Sequence, residues 1–251
     1  MLESRLRRRM AQLKLSSYRQ YCDYVFAGGE RGAQEMVHLI DVVTTNKTEF
    51  FREKVHFDFL ISKAIPELLA GRESSRDLLI WSAGCSSGEE PYTLAMLLSE
   101  YRAARPSFRF RILATDISTA MLQKAVRGVY SSEAIQPVPS ELRRKYFMRS
   151  RDPDSELVRV VPELRDLVEF RQLNLMGTFS AHELADCIFC RNVVIYFDRP
   201  TQEQLFRKLA QKLVDGGYIF LGHSESLHQM DLPLIPVAPA LYRKTDGRRR
   251  N

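Results

Sequence analysis

The stretch "LLIWSAGCSSGEEPYTLAM" (78–96) constrains the fold more than any other part of the chain. Apolar residues at 78–81 run into a loop of small residues, Ser82 to Gly88, and Leu94, Ala95, Leu98 and Tyr101 then form one apolar helical face. Pro91 falls in the first helical turn, where its missing N–H costs nothing. A short buried strand that turns through small residues into a helix is the opening unit of a parallel α/β sheet. The pattern then repeats. "FRILATD" (110–116) reads as a second strand, with Ser118 capping a helix through about Arg127. "LVEFRQLNL" (167–175), "CIFCRNVVIYF" (187–197) and "YIFLGH" (218–223) read as further strands. Thr201–Gln204 has the form of a capping box for a helix that turns Leu205, Leu209 and Leu213 inward, and "DGG" (215–217) stops it. Strands alternating with helices predict a doubly wound, mostly parallel sheet covered on both faces.

Two segments stand outside this alternation. Residues 1–70 read as helical throughout: Leu2, Leu6, Met10 and Leu13 recur at helical spacing, as do Met36, Leu39, Ile40 and Val43. "FAGGERG" (26–32) separates the two sets. A small N-terminal all-α domain is expected, joined through the polar linker "AGRESSRD" (70–77) to an α/β domain over 71–251. At about 130–166 a second departure, centred on "YFMRSRDPDSELVRVV", sets the turn residues Asp152-Pro153-Asp154-Ser155 between two β-prone runs. It predicts a small antiparallel β insertion on the rim of the sheet.

A chain of 251 residues buries a core without disulfide staples. Four cysteines at irregular positions, Cys22, Cys85, Cys187 and Cys190, form no framework and suit a reducing cytoplasm. Cys187 and Cys190 are spaced as C-x-x-C, but positions three apart on a strand point to opposite faces, so strand packing is expected rather than a redox or zinc pair. No apolar run approaches the ~20 residues that span a bilayer. The start "MLESRLRRRM" lacks the apolar core of a secretory signal. The net charge is +6, from 37 basic and 31 acidic residues. Arg5, Arg7, Arg8, Arg9, Lys14 and Arg19 crowd the first helix, and Arg248–Arg250 end the chain. Such a surface attracts an acidic partner, or it is a solvated helix face followed by a polar tail.

The loop at 82–88 has the layout of a nucleotide site, yet Glu89 and Glu90 stand at its helix entrance, where they would repel a phosphate. Its glycine spacing is not G-x-G-x-x-G. Asp116 ends the second strand, where a carboxylate can accept both hydroxyls of a ribose. A ligand with a ribose, positive charge and no phosphate satisfies both features. S-adenosylmethionine, with its sulfonium and ammonium groups, is such a ligand. The bland alternative is that both glutamates favour the helix dipole and face water.

Four separated motifs, "TTNKTEFFRE" (44–53), "WSAGCSSGEEPY" (81–92), "CRNVVIYFD" (190–198) and "GHSES" (222–226), resemble the CheR family. Its members are the methyltransferases that esterify glutamate side chains on bacterial chemotaxis receptors. The resemblance runs from about residue 5 to 244, departing at the start, where family members usually carry another helix. It implies a Rossmann-like S-adenosylmethionine-dependent methyltransferase sheet with a helical N-terminal domain, and S-adenosylhomocysteine as the product. It also implies that Asn46, Thr48 and Arg52 line the cofactor and reach the transferring methyl. Glu89 would bind the cofactor's amino acid portion or the neighbouring loop amides, and Asp116 would hold the ribose. Asn174 and Leu175 would border the adenine, with Arg191 and Asn192 at the edge of the active site. Arg52 and Tyr196 are the pair expected to orient the substrate carboxylate.

A glutamate, with a reference pKa near ~4.3, is already ionised at neutral pH and needs no general base. Methyl transfer needs alignment and desolvation instead. The five histidines include no pair at i, i+4, and His223 with His228 reads as loop packing, so no metal is expected. Each site residue also has a bland reading. Arg52 suits a surface salt bridge, Tyr196 a core aromatic, and Asn46 with Thr48 a helix cap, while Phe50 and Phe51 suit closure of the helical module onto the sheet. The expected partner is the acidic cytoplasmic helical bundle of a chemotaxis receptor, met by the basic first helix. The β insertion could add a strand formed by the receptor's C-terminal peptide, although "SRDPDSE" has no glycine and leaves that open. A cytoplasmic monomer with no nucleic acid partner and no membrane insertion is expected. One rival is a methyltransferase acting on RNA, for which "NVVIY" lacks the prolines of N-P-P-Y; another is a module that binds the cofactor without turnover.

Overall fold

The computed structural model describes residues 2–43, 46–70, 76–152, 154–177 and 183–245. Thr44, Thr45, the linker centre at 71–75, Pro153 and the basic tail Arg248–Arg250 lie outside them. Helices α1 (Leu2–Gln12), α2 (Tyr18–Phe26) and α3 (Gly29–Val43) close on a small core of Met10, Tyr21 and Val25. Ser17 starts α2 by accepting the Gln20 N–H. At the centre of this module the Glu35 carboxylate accepts the Arg9 guanidinium at 2.9 and 2.6 Å and the Tyr21 hydroxyl at 2.9 Å. Burial pushes the Glu35 pKa up, but Arg9 and Tyr21 more than offset it, leaving the group below its ordinary value.

The next helical stretch belongs elsewhere. Helix α4 (Val55–Phe59), a π-helical segment (Leu60–Ala64) and α5 (Ile65–Ala70) place Phe57, Leu60, Ala64 and Ile65 in the core under the sheet. The α/β part follows in chain order as β1 (Leu78–Ala83), α6 (Glu89–Ala104), β2 (Phe110–Asp116), α7 (Thr119–Arg127), β3 (Val129–Ser131) and α8 (Ser140–Tyr146). It continues through β4 (Phe147–Arg149), β5 (Leu157–Val160), α9 (Pro162–Arg165), β6 (Val168–Gln172), β7 (Ala185–Cys190) and α10 (Arg199–Gln211). It ends with β8 (Leu213–Leu221), β9 (Leu234–Ala238) and β10 (Leu241–Lys244).

The main sheet has seven strands in the order β6-β2-β1-β7-β8-β10-β9. The first five run parallel, and β10 is antiparallel to both β8 and β9. From β1 the chain steps outward through β2 to β6, then returns to β7 on the other side. The switch point therefore lies between β1 and β7, and a ligand crevice is expected at their carboxyl ends. One face buries Ile80, Cys187 and Phe189 against Phe57 and Leu94 of the helices. The other buries Trp81, Ile188 and Cys190 against Leu205, Phe206 and Leu209 of α10. Cys187 and Cys190 thus point to opposite faces, as strand alternation requires.

The β insertion is present as a separate antiparallel sheet, β3-β5-β4. Its turn is an Asx turn: the Asp154 N–H donates to Asp152 Oδ1 at 3.1 Å, and the Ser155 N–H donates to the Asp152 carbonyl at 3.2 Å. Elsewhere the boundaries differ from the sequence reading. The strand expected over 187–197 stops at Cys190, because Asn192 turns to φ 59° and the chain enters a 3-10 turn at Val194–Tyr196. The cap of α10 is Asp198, which accepts the Thr201 N–H at 3.0 Å, rather than Thr201 in a capping box. The helix ends at Gln211, so Leu213 and the glycines at 216 and 217 lie inside β8. Strands β9 and β10 were hidden by Pro233, Pro236 and Pro239; Pro236 sits on the edge strand, where a missing N–H is tolerated. Among the described residues no helix is long and apolar enough to cross a membrane.

Candidate functional site

A cavity of about 410 Å³ opens at the carboxyl ends of β1, β2 and β7, where the switch point puts it. Asn46, Thr48 and Arg52 reach it from the turn after α3, Gly84–Ser86 from the β1 loop, Asp116 from β2, Asn174 and Leu175 from the segment after β6, and Arg191 and Asn192 from the end of β7. The structure thus brings eight sequence-expected residues to one cavity. It does not bring Glu89 there. Successive helix residues point about 100° apart, so only one of two adjacent glutamates can face the crevice. Glu90 lines the cavity. Glu89 turns inward, 8 % exposed, and accepts the Ser87 hydroxyl at 2.8 and 3.0 Å; burial raises its pKa. The Tyr196 side chain lies outside the described ones, although its backbone closes the 3-10 turn beside the cavity.

The loop after β1 is not a phosphate cradle. The N–H groups of Gly84 and Cys85 donate to the Thr115 carbonyl at 2.7 and 2.9 Å, and that of Gly88 donates to the Cys85 carbonyl at 3.1 Å. The Ser86 N–H donates to Asp116 Oδ2 at 2.7 Å, and Asp116 Oδ1 accepts the Ser118 N–H at 2.9 Å. A phosphate site needs several amides aimed outward, and here four are consumed by the protein itself. Asp116 is 8 % exposed, and burial raises its pKa against the pull of these amides.

Arg191 organises the opposite wall. Its side chain is 3 % exposed; Nη1 donates to Glu90 Oε2 at 3.0 Å, and Nη2 donates to Glu53 Oε2 at 2.9 Å and to the Arg52 carbonyl at 2.5 Å. The guanidinium also lies over the Phe57 ring, 5.4 Å from its centroid. Glu90 Oε1 accepts the Ser82 hydroxyl at 2.7 Å, so its carboxylate is fixed from both sides. Burial pushes the Glu53 pKa up, but Arg191 overcomes that and leaves it below its ordinary value. Arg52 lines the cavity and donates to the Lys47 carbonyl at 2.9 Å; among the described residues it makes no ion pair.

Two groups that sequence reasoning assigned no role fix the geometry. Glu225 of "GHSES" is 6 % exposed and accepts the N–H groups of Gly222 at 2.7 Å, Asn192 at 2.9 Å and Val194 at 3.0 Å. It thereby pins the loop after β7 to the end of β8. Gly84, at φ 87°, is the second: a Cβ there would stand 2.5 Å from Val193 Cγ2. Of the non-glycine residues at positive φ, Phe51, Glu53, Ser86 and Asn192 all border this region. Each costs about 1–3 kcal/mol, a concentration typical of sites held in one shape by their surroundings. Both glutamates of the Arg191 web could have been suspected from their place in the quoted motifs, but nothing in a single sequence pairs them.

His223 meets His56 rather than His228, with ring centroids 5.2 Å apart. Burial and the nearby Arg191 charge lower the His56 pKa to about 4, so its ring is neutral at pH 7.

Residues 1–44 match the family described as "CheR methyltransferase, all-alpha domain", and residues 46–238 match "CheR methyltransferase, SAM binding domain". A chemotaxis protein methyltransferase of Borreliella burgdorferi is 40% identical over 250 residues, covering 97% of this chain and 86% of that one. Chemotaxis protein methyltransferase 2 of Pseudomonas aeruginosa is 42% identical over 242 residues, covering 95% and 82%. The chemotaxis protein methyltransferase of Escherichia coli is 37% identical over 232 residues, covering 92% and 78%.

Proposed function

The chain belongs to the CheR methyltransferase family, and from that premise we propose how its cavity serves the methylation of glutamate side chains on chemotaxis receptors. The enzyme is an S-adenosylmethionine-dependent methyltransferase of chemotaxis. The observation that carries the reading is the pairing of spent loop amides with the carboxylates Glu90 and Asp116 at the cavity wall. A polyanionic nucleotide would find four of the loop amides already spent and two repelling charges there. The residues fit a cationic nucleoside instead.

When bound, S-adenosylmethionine supplies an electrophilic methyl on a positive sulfur and leaves as S-adenosylhomocysteine. In this reading Asp116 accepts the ribose hydroxyls, Asn174 and Leu175 border the adenine, and Glu90 faces the ammonium group in the place first expected of Glu89. Asn46, Thr48 and Asn192 complete the wall, and Arg191 holds Glu90 in position. The receptor glutamate arrives ionised, so the protein needs no base; it must orient one carboxylate oxygen and exclude water. Arg52 and Tyr196 take that task, Arg52 because its fork can grip one oxygen and leave the other free. The finer partner assignments belong to the same proposal: a cytoplasmic monomer, whose helical domain is α1–α3 and whose methyltransferase domain begins with the segment after them, meets the acidic receptor bundle through its basic first helix. Strands β3 and β4 are edges of the inserted sheet and could each accept an added strand from a receptor's C-terminal peptide.

Incubation with labelled S-adenosylmethionine and a receptor-bearing membrane fraction tests the reading. Alkali should release labelled methanol from the product, and alkali-stable label would exclude glutamate esters. Arg52→Ala should lower turnover about a hundredfold while the protein melts as the wild type does. Unchanged turnover would remove Arg52 from the mechanism.

A further inference from the structure

Beside the cavity, three side chains to which the reading above gives no contact with cofactor or substrate converge on one point. Glu53 Oε2 stands 3.5 Å from His56 Nδ1 and 3.9 Å from His223 Nε2, and the three atoms lie within 4.8 Å of one another. A tetrahedral ion bound at about 2.0–2.1 Å separates its ligand atoms by about 3.4 Å. Of the three edges, that from Glu53 to His56 already has this length, that from Glu53 to His223 is longer by about half an ångström, and that between the two imidazoles is bounded by 4.8 Å. A second observation points to a ligand: His56 is 3 % exposed, and neither ring nitrogen makes a well-formed hydrogen bond, with Nδ1 3.5 Å from Glu53 and the Pro239 backbone the other polar neighbour. Buried polar groups are almost always satisfied, so an imidazole left this way is poised to receive something. His223, with its side chain 55% exposed and its backbone N–H donating to Glu53 Oε1 at 3.3 Å, supplies the solvent-facing side.

We propose that Glu53, His56 and His223 form a binding site for a borderline divalent cation, Zn²⁺ in the first instance, whose occupancy opposes cofactor binding. Two imidazoles and one carboxylate are a zinc-type donor set, poor for Mg²⁺ or Ca²⁺, which take oxygen ligands. Local charge permits a cation, since Glu53 and Glu90 face a single guanidinium, that of Arg191. The antagonism follows from shared atoms. Glu53 Oε2 is the acceptor that holds Arg191 Nη2 at 2.9 Å, and a dication on that oxygen competes with the guanidinium. Arg191 then keeps only Glu90 and the Arg52 carbonyl, and the cavity wall it forms is loosened. By linkage, cofactor must weaken zinc as zinc weakens cofactor. The antagonism rests on the cofactor reading above; the metal site does not.

The full chain is titrated with zinc chloride alone in chelator-free buffer by calorimetry, and with cobalt chloride by visible absorption. One equivalent of zinc and a tetrahedral cobalt spectrum are expected. His223→Ala removes an exposed ligand, and with an unchanged melting curve it should raise the zinc Kd at least about tenfold. No zinc uptake by the wild type, or uptake that His223→Ala leaves unaltered, overturns the site. Saturating zinc should then raise the S-adenosylmethionine Kd of the wild type at least about threefold, reversibly with chelator, and spare His223→Ala. Equal cofactor affinity with and without zinc overturns the antagonism. Failure to bind S-adenosylmethionine even without zinc would instead strike the cofactor reading, which the zinc titration does not touch.

Discussion

Arg191 shows how one residue can join three otherwise separate motifs. It stands in "CRNVVIYFD", pairs with Glu53 of "TTNKTEFFRE" and with Glu90 of "WSAGCSSGEEPY", and hydrogen-bonds the Arg52 carbonyl. Planar guanidinium geometry is what allows one group to reach two carboxylates and a carbonyl in fixed directions. Arg191→Lys should therefore raise the cofactor Kd at least about tenfold and cost about 2 kcal/mol of stability, because an ammonium cannot hold both half-buried carboxylates and the carbonyl at once. Calorimetry and denaturation check this; wild-type values for both would mean that the web is incidental. The sequence offered Arg191 as a site residue but could not offer its partners. Residue spacing says that Glu89 and Glu90 share a helix entrance, not which of them turns toward the crevice; that depends on the angle at which α6 meets β1. Glu225 was equally silent, since a carboxylate that serves three backbone amides leaves no periodic trace.

Among the elements, β1, β2 and α7 were legible because local signals agree with burial: a continuously buried β1, a β2 interrupted only by the exposed Arg111 and the half-buried Leu113, and a Ser118 cap that accepts the Met121 N–H. The elements around α10 were not. "TQEQ" carries the capping-box pattern, but Asp198 stands three residues earlier with Pro200 in the first turn, and the earlier cap wins. Asp198→Ala should lower the melting temperature, whereas Gln204→Ala should leave it unchanged; the reverse order would restore the box. The helical stretch 1–70 was recognised as helical, yet its packing divides earlier than its periodicity does. Phe57 and Leu60 lie under the sheet, while α1–α3 enclose Met10, Tyr21 and Val25 by themselves. That separate core is anchored by Glu35, and its pH dependence follows in sign. The folded pKa of Glu35 lies below its ordinary value, so its contribution is present above the unfolded pKa near ~4.3 and is lost as pH falls through the folded pKa. Glu35→Gln should cost about 2 kcal/mol at pH 7, with the difference shrinking below about pH 4. Denaturant unfolding at the two pH values measures it, and a gap that persists in acid would mean that shape rather than charge anchors the helices.

For the molecule as a whole, the +6 charge is less available than a count suggests. Arg9 is committed to the nearly buried Glu35, and Arg7 pairs with Glu3 at 2.6 Å on the surface of α1. Arg5 donates to the Val42 carbonyl at 3.3 Å, tying α1 to α3. Neutralising the run Arg7–Arg9 would therefore mix two effects, because losing Arg9 strands a carboxylate inside the module. Arg8, Lys14 and Arg19 are exposed and separate docking from folding. If the basic face meets an acidic receptor bundle, reversing these three to glutamate should slow receptor methylation several-fold at low salt. Exposed charges more than ~10 Å apart are largely screened at 0.1 M ionic strength, so the difference between variant and wild type should shrink as salt rises. Cofactor affinity, measured without receptor, should not change, because none of the three borders the cavity. Equal rates at low salt would move the docking surface away from the first helices, and a deficit that survives high salt would indicate a loss of shape rather than of attraction.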